Sequence, residues 1–223
     1  MVDMNKLLGQ LLGSGAASGF AGGVAGGLAS SMLTGKKGKK ARKMGKKALK
    51  VGGVAAVGAL AYTAYQRYNS NAVATEALPS TAPDLVPAPP GTPFMPREND
   101  EAANEALGLT LVRAMIAVAR ADGRLDPQES QSIFEKIESL GLDSESQSLL
   151  VEEMGHPVDM DAIVNSASSP EVAAEIYAAS LLAVDVDTPA EKGYLAMLAA
   201  RLRLPVELVT ELERQVEAQK TFA

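Results

Sequence analysis

From residue 100 onward, apolar positions recur with helical spacing. Leu107, Leu111, Ala114, Val118 and Ala121 fall on one face, and Ile133, Phe134, Ile137 and Leu140 on another that Gly141 closes. Further helices are expected over Asp143–Met154, Asp159–Ala167, Pro170–Val184, Pro189–Leu202 and Pro205–Gln219. Prolines 127, 170, 189 and 205 each stand where a first helical turn begins, the one helical position at which a missing N–H costs nothing. No run alternates with the two-residue period of a strand. The expected fold class is all-α, with residues 100–223 forming a compact bundle of about seven helices.

The first 68 residues follow a different pattern. No residue from Leu7 to Gly35 is charged, and Ala16 to Leu33 is almost entirely small or apolar. About 20 such residues cross a hydrocarbon core. A second apolar run, Val51 to Tyr65, is shorter and ends on Tyr62, Tyr65 and Tyr68 beside Arg67, the composition of an interfacial aromatic belt. Gly15, Gly19, Gly23 and Gly27 recur every four residues, so a helix there presents a groove for close helix packing, within one chain or in a homo-oligomer. A flexible Gly/Ala/Ser tail and a secretory signal are the competing readings. A cleavable signal carries its basic residues before its apolar core, and here the larger basic cluster follows the first apolar run.

That cluster consists of Lys36, Lys37, Lys39, Lys40, Arg42, Lys43, Lys46, Lys47 and Lys50. Between two apolar runs it suits anionic lipid headgroups better than nucleic acid, and such clusters are retained on the cytoplasmic side. If Val51–Tyr65 alone spans, the cluster lies inside and everything after it outside; if both runs span as a hairpin, the loop lies inside and both ends outside, so in either case the C-terminal domain is expected in the periplasm. Residues 69–99 hold Pro79, Pro83, Pro87, Pro89, Pro90, Pro93 and Pro96 and read as an extended linker. The expected organisation is therefore a membrane anchor over 1–68, a linker over 69–99 and a helical domain over 100–223.

Charge sharpens this division. The chain of 223 residues has a net charge of −6, yet residues 1–78 carry +9 and residues 79–223 carry −15. Absence of cysteine excludes disulfides, thiolate metal sites and thiol nucleophiles, and the single His156 leaves a Ser-His-Asp triad and multi-histidine metal sites short of parts. The chain has no Trp and few aromatics, which argues against a platform of rings for stacking bases. No phosphate-cradling or dinucleotide-binding glycine motif is present.

Two acidic turns carry the remaining candidate chemistry. ARADGRLDPQE contains Asp122, Asp126 and Glu129, and AVDVDTPAE contains Asp185, Asp187 and Glu191, each turn lying between two expected helices. Carboxylates of Asp122, Glu129, Asp185, Asp187 and Glu191, if brought together, suit a divalent cation such as Ca²⁺ or Mg²⁺. An EF-hand is rejected, since its first and third ligand positions would be Val118 and Arg120. The other reading is structural: Asp126 to Glu129 and Thr188 to Glu191 both have capping-box spacing. His156, followed by Pro157, reads as a turn residue, and Met154 and Met160 as packing residues.

The paired acidic turns, the phrase LLAVDVDTPAEKGYLAMLAARLRLP and the opening MNKLLGQLLGSG with its glycine-rich and lysine-rich continuation resemble the YebE-type inner-membrane proteins of unknown function. Their C-terminal part belongs to the tellurite-resistance TerB-like superfamily. The resemblance implies an all-helical domain linked to metal-related stress responses and membrane complexes, with any metal site falling on the five carboxylates above. The second turn departs from the first, having no glycine after its acid and one residue fewer between its outer acids. Together these readings lead to a non-enzymatic inner-membrane protein that binds a protein partner. The alternatives are a metal-assisted hydrolase using the acidic cluster and a cytosolic nucleic-acid binder using the lysine run.

Overall fold

The computed structural model describes residues 3–13, 53–70, 85–97, 99–121 and 144–222. Eight helices lie among them: α1 (Met4–Gly13), α2 (Gly53–Asn69), α3 (Glu101–Ala119), α4 (Ser144–Gly155), α5 (Met160–Asn165), α6 (Pro170–Ala183), α7 (Pro189–Arg201) and α8 (Val206–Phe222). The described residues hold no strand beyond one isolated bridge, Thr92 to Met95, so the all-α expectation holds.

The helix starts follow local chemistry. Asp100, Asp159, Ser169 and Thr188 each accept a hydrogen bond from the backbone N–H three residues on, and Pro170 and Pro189 occupy the first turns of α6 and α7. Asp3 does the same for α1, accepting from the N–H of Lys6 at 3.0 Å. The helix α7 ends with Arg203 at φ 56°, the N–H of Arg203 reaching the Ala200 carbonyl at 3.1 Å and that of Leu204 the Ala199 carbonyl at 3.1 Å.

Helix α6 is the axis of the molecule. Every residue from Val172 to Ala183 is buried, as an apolar sequence without a polar stripe requires. Helices α2, α3, α7 and α8 pack around it, and α1 lies across α2 and α3. Leu107, Leu111, Ala114 and Val118 of α3 are buried as their spacing predicts. The second expected face, Ile133 to Leu140, lies outside the described residues.

Two expectations about the N-terminal part need correction. The run Val51–Tyr65, read as part of a separate anchor, lies within α2 from Gly53 on, and its residues share one continuous core with α3, α6 and α8. Small residues permit this: a side chain on Gly53 would overlap Leu8 of α1, and one on Gly108 of α3 would overlap Met4. The boundary expected near residue 69 is thus not a boundary in the packing. Residues 85–97, read as part of a spacer, instead form a strap across α2. The N–H of Val86 donates to Thr63 Oγ at 2.9 Å, and buried Phe94 meets Tyr62 and Tyr65 edge to face at ring distances of 5.4 and 5.5 Å. Tyr62 and Tyr65, expected in an interfacial belt, clamp this phenyl ring.

Candidate functional site

The second acidic turn joins α6 to α7. Glu191 is buried, and its Oε2 accepts from the N–H of Thr188 at 3.1 Å and of Asp187 at 3.3 Å, while Thr188 Oγ accepts from the N–H of Glu191 at 3.2 Å. This is the capping box its spacing predicts. Asp185 and Asp187 are exposed. Asp185 Oδ1 lies 3.2 Å from Lys220 Nζ, which also donates to the Val184 carbonyl. Glu191 therefore turns inward to the backbone while the aspartates face solvent. Among the described residues, no three His, Cys, Asp or Glu side chains gather as a metal site. Asp122, Asp126 and Glu129 lie outside the described residues.

His156 follows α4 in a turn, its carbonyl accepting from Arg120 Nη1 at 2.6 Å. It borders a cavity of about 310 Å³ between α3, α4 and α5, where Arg113 grips Glu153 through two hydrogen bonds of 2.8 and 2.6 Å. That fork raises the guanidinium pKa above its ordinary value. Met154 is buried against the core, as expected of a packing residue.

The chain leaves and rejoins the bundle at one place. Gly53, first residue of α2, packs on Leu8 and Gly9 of α1, and a side chain on Gly9 would lie 3.4 Å from the Gly53 nitrogen. The segment 14–52 therefore departs from and returns to neighbouring points of one body. Gly15, Gly19, Gly23 and Gly27 and all nine basic residues from Lys36 to Lys50 belong to this segment and lie outside the described residues.

The structure also singles out Glu175, which the sequence reading passed over. It is 0% exposed at the middle of the bundle, and neither carboxylate oxygen has a hydrogen-bond partner. Burial pushes its pKa well above the usual carboxylate range. A lone acid in the otherwise apolar stretch from Val172 to Ala183 was the available signal.

A family model described as a protein of unknown function, DUF533, matches residues 7–216. The chain belongs to the DUF533 family. The match runs from within α1 through α2 and the strap into α8, in keeping with their shared core. The chain is also similar to a Yersinia enterocolitica protein described as an uncharacterized protein in the ampR 5′ region, with 26% identity over 110 residues, covering 49% of this chain and 79% of that protein. No solved structure matches.

Proposed function

We propose that this DUF533 protein is a non-enzymatic, TerB-like interaction protein of the bacterial inner membrane, seated on the cytoplasmic face by residues 14–52. The carrying observation is the contact of Gly53 with Leu8 and Gly9. A segment with both ends on one body crosses a bilayer an even number of times. Ala16–Leu33 has length for one crossing only, so an even count leaves the basic cluster on the side of the bundle. Positive charge of this density is retained in the cytoplasm. Each Lys or Arg near an anionic surface contributes about 1 kcal/mol. The periplasmic placement expected above required Val51–Tyr65 to span, and the use of that run as a core helix favours the opposite side. The bundle is left as the partner-binding part. In its second acidic turn, the Glu191 carboxylate is engaged in closing a helix start.

Vesicle flotation tests this reading. The full chain should float with phosphatidylglycerol vesicles, less so as salt rises, and only weakly with phosphatidylcholine alone. Replacing all nine basic residues from Lys36 to Lys50 by Gln should remove the preference for anionic lipid. Failure to float with either lipid, or an unchanged preference in the variant, would overturn the proposal.

A further inference from the structure

Glu175 faces α2 at Gly58. A Cβ on Gly58 would stand 3.0 Å from Glu175 Oε1 and would overlap the carbonyl oxygen of Phe94 in the strap. Two oxygens, one from α6 and one from the strap, thus border the space that a Gly58 side chain would take. An ionised carboxylate here would add a second pure acceptor beside a carbonyl, away from water and without a donor, whereas a protonated carboxyl brings the one hydrogen the site lacks.

No charged group on the surrounding elements bonds to the Glu175 carboxyl; on α8, Glu213 accepts from the Tyr177 hydroxyl at 2.9 Å and Lys220 meets Asp185 at 3.2 Å. On α2, Arg67 turns to Glu211 of α8 at 3.8 Å, and Arg214 of α8 holds the same carboxylate at 2.6 Å. Glu171, one turn before Glu175 on α6, acts on Tyr65. On α3, Arg113 is taken by Glu153 and Glu101 lies in the exposed first turn. On α7, Glu191 closes its own capping box and Lys192 is exposed, and in the strap Arg97 is exposed. Burial acts to keep the proton on the Glu175 carboxyl.

We propose that Glu175 is a proton-operated latch: the strap and α2 close over α6 while its carboxyl carries a proton, and opening of this layer is coupled to loss of that proton. The proposal concerns the interior of the fold and does not rest on the membrane reading. Its sign is fixed by linkage. The closed form holds one more proton than the open form between the ordinary carboxylate range and the raised value, so the open-to-closed ratio rises about tenfold per pH unit across that window. Below it both forms are protonated and the ratio is flat.

The chain has no tryptophan, so one placed in the strap reports on it alone. In the lipid-free full chain carrying Phe94→Trp, raising the pH from 5.5 to 9 should shift the emission to the red while the helical circular dichroism persists. Adding Glu175→Gln, neutral at every pH and able to donate to a carbonyl, should abolish the shift. Tyr62→Trp, on the α2 side of the same contact, supplies a second reporter if the first perturbs the strap. A shift of equal size with and without Glu175→Gln, or no shift up to pH 9, would overturn the latch. So would an ordinary carboxylate pKa for Glu175 in a carbon-13 titration of the wild-type chain. Because no lipid is present, such a failure leaves the flotation result untouched.

Discussion

Arg203 is the one described non-glycine residue with positive φ, at 56°, and it holds the position after α7 that glycine usually takes. A side chain in this conformation is strained, so Arg203→Gly should raise stability by roughly 0.5–1 kcal/mol after glycine's entropic cost, measured by urea unfolding. Glu191 illustrates the reverse. Its carboxylate serves two backbone N–H groups while buried, so Glu191→Ala should cost about 1–2 kcal/mol, and Glu191→Gln, which can still accept, distinctly less. The same residue separates capping from cation binding. With Glu191 engaged this way and Asp185 beside Lys220, adding Ca²⁺ or Mg²⁺ should leave the melting temperature where chelator leaves it. A rise that Asp122→Asn removes would restore a cation shared between the two acidic turns.

Among the helices, glycine substitutions should have opposite signs in α2 and α7. Gly53→Ala drives a methyl into Leu8 and should cost about 1–3 kcal/mol, with α1 loosened from the bundle. Gly193→Ala meets nothing within 4 Å on an exposed turn of α7 and should gain about 0.5–1 kcal/mol from helix propensity alone. Thermal unfolding of the two variants checks both. The helices after residue 143 were legible because their boundaries are written locally, in caps such as Asp159, Ser169 and Thr188 and in prolines at first turns. The role of α2 was not. An apolar stretch of that length has the same composition whether it faces lipid or four other helices, and only the fit of Gly53 and Gly58 against Leu8 and Phe94 decides. The strap was hidden for a related reason: prolines announce an extended chain, but the Thr63–Val86 hydrogen bond joins residues 23 positions apart. Of the candidate site, the capping box could be read from spacing. Glu175 could be noticed as an oddity, while its partnerless burial depends on tertiary packing.

At the scale of the molecule, a body carrying an excess of acidic groups is joined at one place to a segment carrying nine basic ones. Among the described residues one helix, Glu101–Ala119, is long and apolar enough to cross a membrane, and half of its most apolar stretch is buried in the fold. A soluble core helix has the same properties, and here α3 packs on α6, the most buried helix. The central claim is that both ends of segment 14–52 are held on the cytoplasmic side by one folded body. The chain has no cysteine, so single cysteines can be introduced at Asp3 and at Glu217 without background. Labelling with a membrane-impermeant maleimide in intact spheroplasts, then again after lysis, tests the claim most directly. Both cysteines should be protected until lysis and modified after it; modification of either one in intact spheroplasts would contradict the account.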